Sequence, residues 1–246
     1  MAENNRFKKF YSTEASVYEK TRYESFYGRL FRKLHHAVLA SELKKNDPGV
    51  RYVEIACGTG HTTRLMSQYC DSLTACDLTP EMMAQNKCSS NAKNVSYIQA
   101  NAFELPFEDA SFDVLVSTRF LHLFSWDEQK KLYKEFNRIL VPGGRLIVDF
   151  DNMFARWLYA LPHVAYNLVR YQRLAPFSIY NLAGSSRKAL ESSGFSDLST
   201  RGVGGWHLVF ILFFSENIAY KFGLMHWRLP LRLIAEQFLI SGVKNN

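Results

Sequence analysis

A short glycine-containing turn stands between an apolar strand and a helix near position 58 of this 246-residue chain. The segment Val53-Glu54-Ile55-Ala56-Cys57-Gly58-Thr59-Gly60 predicts a buried strand, a sharp turn and then a helix. Glycines in such a turn let a ligand approach backbone N–H groups at a helix N-terminus, where an anionic group is favoured. Taken alone, the pattern is also typical of a tight turn that binds nothing.

An acidic residue follows the glycines at the position typical of a ribose-binding side chain. A second predicted strand, Ser72 to Cys76, leads into Asp77, whose carboxylate can accept both hydroxyls of a ribose. The two features together indicate a site for an adenosine cofactor. Because Thr63 stands where the dinucleotide pattern G-x-G-x-x-G has its third glycine, a nicotinamide or flavin dinucleotide is disfavoured.

Five motifs follow one another between residues 50 and 150. They are Glu54-Ile55-Ala56-Cys57-Gly58-Thr59-Gly60, Asp77-Leu78-Thr79-Pro80-Glu81-Met82, Asn101-Ala102-Phe103-Glu104-Leu105-Pro106-Phe107, Phe112-Asp113-Val114-Leu115-Val116-Ser117 and Leu140-Val141-Pro142-Gly143-Gly144. In this order they resemble the motifs of class I S-adenosylmethionine-dependent methyltransferases, in particular the small-molecule group that includes the ubiquinone and menaquinone C-methyltransferases. The resemblance implies S-adenosylmethionine as the cofactor and S-adenosylhomocysteine as its product.

The resemblance also implies a role for each motif residue. Glu54 would reach the methionine ammonium of the cofactor, and Asp77 would hold the ribose. The loop that approaches the cofactor contains Ala56, Gly58 and Gly60. The adenine would be surrounded by Leu78, Met82, Asn101, Ala102 and Phe103. Ser117 and Thr118 would offer backbone carbonyls to the ammonium. Two departures, Glu54 for the usual Asp and Ala56 for the usual Gly, are conservative.

The N-terminal segment and one histidine add two further predictions. Similar proteins use a Tyr-rich N-terminal segment as a lid, so Tyr18 and Arg22, with Tyr11 and Tyr23, are candidates to cover the cofactor. An aromatic face beside a sulfonium is favourable through cation–π attraction. His122 is the candidate general base, ahead of His163 and His207, and a base is needed only if the acceptor must lose a proton. A lone histidine between two leucines is more often a packed residue at a helix start.

The elements that position these residues alternate between strands and helices. Strands are predicted at 51–56, 72–76, 95–99, 112–116 and 145–150, with helices near 61–70, 80–90 and 126–140, which indicates a parallel sheet. With the resemblance, this predicts an α/β, Rossmann-like, doubly wound fold with a mostly parallel seven-stranded sheet. We expect a single domain over 1–246. It would comprise a helical lid (1–50), a cofactor-binding core (51–150) and an acceptor-side region (151–246).

The acceptor-side region predicts a mainly helical elaboration. Helices are expected at 153–173 and 181–193, the latter closed by Gly194. A hairpin across Gly204-Gly205 would pair Leu198–Val203 with His207–Phe214. An apolar helix over 216–240, broken at Pro230, would end the chain without a strand near Lys244-Asn245-Asn246. Its apolar residues would form a pocket wall, a homodimer face or a peripheral membrane contact, and ordinary helix packing is favoured over membrane contact. These residues are Trp227, Leu231, Leu233, Ile234, Phe238 and Ile240.

The net charge of +7 belongs to the two ends of the chain, with +4 over 1–50, −2 over 51–150 and +5 over 151–246. This distribution argues against a uniformly basic nucleic-acid-binding domain. The segment Ser117-Thr118-Arg119-Phe120 also lacks the Pro-Pro-aromatic motif of nucleic-acid N-methyltransferases. A small acceptor is therefore favoured. Because the segment after the fifth strand is aromatic and basic, with Arg156, Arg170 and Arg173, we expect a lipophilic or aromatic acceptor that carries an acidic or phosphate group. An aromatic core with solvated arginines is the alternative interpretation of this segment. An RNA or other nucleic-acid methyltransferase and a noncatalytic cofactor-binding subunit remain the alternatives.

The four cysteines, Cys57, Cys70, Cys76 and Cys88, lack a C-x-x-C spacing, so the sequence predicts no metal site. Without a recognisable signal peptide, free thiols and a cytoplasmic or membrane-peripheral protein are expected. The longest apolar run, Leu208 to Phe214, is far shorter than the roughly 20 residues that a membrane-spanning helix needs.

Overall fold

The computed structural model describes residues 2–43, 49–90, 92–158, 181–205, 208, 211, 215–225 and 234–246. Three helices precede the first strand, α1 (Ala2–Glu14), α2 (Tyr18–Tyr23) and α3 (Phe26–Leu43). In α3, apolar residues recur at intervals of three and four, and the stripe that they form is buried. The helical periodicity predicted for the first fifty residues is therefore confirmed.

Strands and helices then alternate as the sequence predicts. The strands are β1 (Arg51–Ile55), β2 (Ser72–Asp77), β3 (Val95–Gln99), β4 (Phe112–Ser117), β5 (Leu140–Asp151), β6 (Phe195–Val203) and β7 (Gln237–Lys244). The later helices are α4 (Thr63–Met66), α5 (Pro80–Ser89), α6 (Trp126–Ile139), α7 (Met153–Leu158), α8 (Ala183–Glu191) and α9 (Glu216–Met225). A 3₁₀ turn at Leu121–Leu123 separates β4 from α6.

The seven strands form one sheet in the order β3-β2-β1-β4-β5-β7-β6. The pairs among β1 to β5 are parallel, and β7 lies antiparallel between β5 and β6. The predicted mostly parallel, Rossmann-like sheet is confirmed. Strand order reverses between β1 and β4, and in such sheets the crevice outside the carboxyl ends of the strands at this point is the usual ligand site.

Helices cover the sheet on both faces. Successive side chains of a strand point to opposite faces, and here the side chains on both faces are apolar. Leu115 belongs to the apolar cluster that contains the buried side chains of α6. Its neighbours Val114 and Val116 belong to the cluster that contains those of α3 and α9. This alternation places the N-terminal helix α3 against one face and leaves the carboxyl edge of the sheet open to α1 and α2.

Local signals fix the helix ends that the sequence marks. Ser125 and Glu128 form a capping box at the start of α6, and Pro80 occupies the first turn of α5. After α8, Gly194 adopts a left-handed φ of 89° and its N–H donates to Glu191 O, which confirms the predicted left-handed helix end.

The predicted hairpin across Gly204-Gly205 is wrong. β6 pairs with β7, from Phe195 opposite Lys244 to Val203 opposite Gln237, and Leu208 and Ile211 are helical. Both glycines have positive φ, of 66° and 152°, but they end β6 instead of reversing it. The apolar residue Leu208 is buried in the cluster that contains α3, so its burial needs no strand pairing.

The predicted apolar helix over 216–240 is wrong at its C-terminal end. The structure describes α9 over Glu216–Met225, residues 226–233 lie outside the described part of the chain, and Phe238 and Ile240 lie in β7, where they are 2% and 0% exposed. These two side chains belong to the core and are not part of a dimer or membrane face. The seventh strand, not expected near the C-terminus, is therefore present, because the alternating faces of β7 fit between β5 and β6.

Part of the acceptor-side prediction lies outside the described residues. This applies to 159–173 of the helix predicted at 153–173, to Arg170, Arg173, His163 and His207, and to Pro230 with the neighbouring Trp227, Leu231 and Leu233. Helix α7 begins at Met153, as predicted. All four cysteines are free. Within the described part of the chain, no helix is long and apolar enough to cross a membrane.

Candidate active site

The loop after β1 approaches α5 so closely that one of its residues must be glycine. Ala56, Gly58 and Gly60 have positive φ values of 62°, 51° and 91°. A Cβ atom on Gly60 would lie 2.1 Å from Asn86 Oδ1. Because α4 has only four residues, the folded loop itself, and not a long helix, forms this wall of the cleft. The loop therefore fits a ligand that lies against backbone.

The carboxylate of Asp77 is fixed by backbone N–H groups on both sides. Its Oδ2 accepts from Gly58 N at 2.8 Å and its Oδ1 accepts from Thr79 N at 2.8 Å. Burial raises the pKa of Asp77, and the hydrogen bonds from Thr79 and Gly58 oppose this shift. The carboxylate stands at the end of β2 with its orientation set, as recognition of a ribose diol requires.

Glu54 is the most enclosed acidic group of the cleft, with 2% exposure. Thr63 Oγ1 donates to Glu54 Oε2 at 2.6 Å, and Asn86 Nδ2 donates to Thr63 Oγ1 at 2.8 Å. Tyr97 OH in turn donates to Asn86 Oδ1 at 3.0 Å. Burial raises the pKa of Glu54 to about 8, against the lowering effect of the Thr63 hydrogen bond. A cationic group bound beside Glu54 would favour its ionised form.

The side chains predicted to surround the adenine line one end of the same cleft. They are Leu78, Met82, Asn101, Ala102 and Phe103. Asn101 Oδ1 accepts from Phe103 N at 3.2 Å, which orients the amide. An amide oxygen accepts two hydrogen bonds, so Asn101 keeps one lone pair for a ligand amino group.

Helices α1 and α2 roof the cleft with aromatic side chains. Phe7, Tyr11, Tyr18 and Tyr23 contribute to the lining, and the rings of Tyr11 and Tyr18 are 6.1 Å apart. Arg22 is exposed and does not line the cleft, although its guanidinium lies 5.4 Å from the centre of the Tyr18 ring. Burial raises the pKa of Tyr11 and of Tyr23, so both phenols stay neutral at physiological pH.

The opposite wall comes from the segment after β4. Thr118, Arg119, Phe120, Leu123 and Phe124 line the cleft there. Thr118 Oγ1 lies 2.8 Å from Thr62 Oγ1, which ties this segment to the loop after β1. The wall is apolar except for Thr118 and the guanidinium of Arg119.

The structure brings most of the predicted site residues together. Those that line one cleft are Tyr18, Glu54, Ala56, Gly58, Asp77, Leu78, Met82, Asn101, Ala102, Phe103 and Thr118. Gly60 packs behind the loop, and Ser117 is fully buried. His122 lies in the 3₁₀ turn outside the lining, and burial lowers its pKa, so its ring is neutral near pH 7.

Several lining residues were not identified from the sequence, notably Phe7, Lys8, His61 and Arg119. His61 directly follows the glycine loop, and its ring stacks on Tyr23 with 4.4 Å between centroids. Burial lowers the pKa of His61, as do the neighbouring His35 and His36. Position in the sequence was the one signal that could have identified two of them, because His61 directly follows Gly60 and Arg119 directly follows Thr118, which are both predicted site residues.

Residues 53–148 match a family model described as a methyltransferase domain. A malonyl-(acyl-carrier protein) O-methyltransferase from Herminiimonas arsenicoxydans is 31% identical over 133 residues, which cover 53% of this chain and 48% of the relative. A ubiquinone/menaquinone biosynthesis C-methyltransferase UbiE from a Shewanella species is 32% identical over 108 residues, covering 41% of this chain and 42% of the relative. The matches thus span less than half the length of either curated relative.

Among solved structures, a magnesium protoporphyrin IX methyltransferase from Synechocystis PCC 6803 with bound S-adenosylhomocysteine is similar at a TM-score of 0.68. It is 12% identical, and the match covers 98% of this chain and 99% of that chain. The likeness shows a shared fold. The family match and the curated relatives identify residues 53–148 as an S-adenosylmethionine-dependent methyltransferase domain.

Proposed function

We propose that this protein transfers the methyl group of S-adenosylmethionine to a small acceptor with a lipophilic or aromatic part. The observation that carries the proposal is a cleft whose lining combines two kinds of side chain. Glu54 and Asp77 contribute carboxylates that suit an ammonium and a ribose. Aromatic side chains of α1, of α2 and of the segment after β4 line the same cleft.

The chain's own residues supply positioning and exclusion of water. When bound, the cofactor provides an activated methyl group on a sulfonium, which reacts by in-line displacement. Asp77 orients the adenosine end, and Glu54 balances positive charge at the methionine end. Tyr11 and Tyr18 cover the cleft, where aromatic faces stabilise a cation and keep water out. Holding the reactants in line contributes several kcal/mol, on the order of that in intramolecular reactions.

His122 is the proposed general base for acceptors that lose a proton. Its lowered pKa keeps the imidazole neutral and able to accept a proton near pH 7. Since its ring lies outside the cleft lining, it needs an acceptor that extends past Phe120 toward the 3₁₀ turn. We further propose one domain over 1–246, which is supported by β6 and β7 completing the sheet that β1 to β5 begin.

Two measurements test the proposal in sequence. Calorimetry should show binding of S-adenosylmethionine and S-adenosylhomocysteine to the full chain, and Asp77→Ala should abolish it. Transfer of a labelled methyl group to a panel of phenols, hydroxylated quinones, fatty acids and aryl amines should then identify the acceptor class, with transfer RNA as the nucleic-acid comparison. Folded protein that binds neither cofactor form contradicts the proposal. Cofactor binding without transfer to any panel member supports a noncatalytic subunit instead.

A further inference from the structure

Arg119 stands in the cleft in a conformation that arginine rarely adopts. It follows β4 directly, and its backbone has a left-handed φ of 55°. Its N–H donates to Asp149 Oδ1 at 2.6 Å, and the second oxygen of Asp149 lies 3.1 Å from His35 Nε2. His35 and Asp149 are 0% and 1% exposed, so this pair is a rigid anchor. Strained residues of this kind cluster at ligand sites, where the surrounding structure holds them in place.

The guanidinium of Arg119 lies between aromatic rings. Its Cζ is 5.9 Å from the centre of the Tyr23 ring and 5.8 Å from that of Phe31. Its Nε is buried without a hydrogen-bond partner. Cation–π contacts of this type stabilise the charge without using the N–H groups, which stay available to an acceptor.

The described carboxylates do not pair with this guanidinium. Asp149 uses both oxygens as above, and Asp151 Oδ1 accepts from Gln237 Nε2 at 2.7 Å. By contrast, Arg145 and Arg201 both form ion pairs with the buried Glu42. Of the 23 acidic residues of the chain, only Glu3 and Asp47 lie outside the described side chains.

The side chain of Arg119 is only partly exposed and its Nε is buried. A partly buried cation without an ion-pair partner is costly, and a ligand anion would reduce that cost. We propose that Arg119 binds a carboxylate group of a ligand in this cleft. The inference rests on the proposed function for the identity of the ligands. The carboxylate belongs either to the methionine end of the cofactor or to the acceptor. Both sources offer the planar, two-oxygen group that a guanidinium edge matches.

Whether the carboxylate belongs to the cofactor is tested with two compounds that differ only in that group. S-adenosylhomocysteine and its decarboxylated analogue share the adenosine and the amine, so the ratio of their dissociation constants isolates the carboxylate. Wild-type protein should prefer the acid, and Arg119→Gln should reduce this preference by about tenfold or more, as expected for a lost charge-assisted hydrogen bond. Affinity for the decarboxylated analogue should change by less than about twofold.

Whether the carboxylate belongs to the acceptor is tested by measuring how acid and amide probes bind, first to protein saturated with S-adenosylhomocysteine and then to protein without it. The probes are cinnamate and decanoate, each paired with its neutral amide. If wild-type protein prefers either acid over its amide and Arg119→Gln removes this preference, the carboxylate belongs to the acceptor. If neither the cofactor ratio nor either acid-amide ratio differs between wild type and Arg119→Gln, the inference is overturned.

Matched variants separate binding from folding. Arg119→Lys keeps the positive charge but loses the two parallel N–H donors of the guanidinium, so it should retain part of the preference for the acid. This variant replaces Arg119→Gln in the measurements if Arg119→Gln does not fold. Arg51→Gln removes an arginine paired with Asp113 at the opposite edge of the sheet and should leave every ratio unchanged. If the wild type fails to bind S-adenosylhomocysteine, the proposed function fails. The measurements without it then still decide whether Arg119 binds carboxylates.

Discussion

The carboxyl edge of the sheet carries opposite charges in its two halves. At the ends of β1 and β2, Glu54 and Asp77 are held by hydrogen bonds from residues of the adjoining loops and helices. At the ends of β4 and β5, Asp149 instead holds the backbone of a cation, Arg119, and is itself bound by His35 from α3. One half offers anions to a ligand, and the other offers a cation.

The difference concerns how each charge is positioned. Asp77 is oriented by Gly58 and Thr79, which lie in the loops at the ends of β1 and β2 and belong to the motifs identified in the sequence. Arg119 depends on Tyr23, Phe31 and Asp149, which belong to α2, α3 and β5. We therefore expect changes in the first half to abolish cofactor binding, and changes in the second half to alter which ligands bind.

The largest effect is expected from Gly60→Val in the first half. A Cβ would meet Asn86 Oδ1 at 2.1 Å on a backbone with φ of 91°. The free energy of unfolding should fall by more than about 3 kcal/mol, with loss of cofactor binding. Urea unfolding and calorimetry measure both. Gly184→Ala, where a Cβ meets nothing within 4 Å, is the control and should not destabilise the protein. Equal unfolding curves for Gly60→Val and wild type would contradict the close packing of this loop.

Asp77→Asn should weaken cofactor binding about 100-fold while the protein stays folded. The substitution removes the charge and turns an amide NH₂ toward one of the two backbone N–H groups, from Gly58 or Thr79. Calorimetry with S-adenosylhomocysteine measures the loss. Asp127→Asn, at an exposed position of α6, is the matched control, and an equal loss in both variants would remove the assigned role of Asp77.

Glu54→Gln should change how stability depends on pH. Burial raises the folded-state pKa of Glu54 to about 8 from its ordinary value of 4.5. The unfolded chain therefore loses this proton first, so stability conferred by the protonated form falls as pH rises from about 4.5 to about 8. At pH 8 the variant should be more stable than wild type by about 2 kcal/mol or more. Parallel pH profiles of urea unfolding in the absence of cofactor would contradict this.

His35→Gln tests the second half. The substitution loosens the buried carboxylate of Asp149, so the free energy of unfolding should fall by about 1–3 kcal/mol. Because Asp149 sets the backbone of Arg119, the preference for a carboxylate ligand over its carboxylate-free or amide counterpart should fall as well, with little change in affinity for adenosine. Whichever of the two ratios depends on Arg119, the cofactor ratio or the acid-amide ratio, measures this loss. A variant that loses adenosine binding in proportion would show that the two halves are not separable.

Ala56→Gly should have the smallest effect. Ala56 has a φ of 62°, which glycine adopts without the strain imposed by a Cβ. The free energy of unfolding should rise by up to about 1 kcal/mol, with cofactor affinity unchanged. A decrease in stability would show that the Ala56 methyl group contributes packing that outweighs its strain.

The sequence predicted the first half of the edge in detail because neighbouring residues determine it. A strand, a glycine turn and an acidic strand end are set by local backbone geometry, and these segments lie where expected, from Glu54 to Phe103. The C-terminal region was predicted less well. The apolar run that begins at Leu208 was assigned to a hairpin, and Phe238 was assigned to a helix, since an apolar segment alone does not show what it packs against.

The residue pattern alone was enough to predict the alternating order of strands and helices, the glycine loop, the acidic residue that ends β2 and the adenosine chemistry that they favour. Two features became visible only in the folded chain: β7 lies between β5 and β6, and Arg119 lacks an ion-pair partner among the described residues. The physical reason is distance along the chain. Pairing of β7 with β5 and the cation–π contact of Arg119 with Tyr23 join residues about 90 positions apart, so no local pattern encodes them.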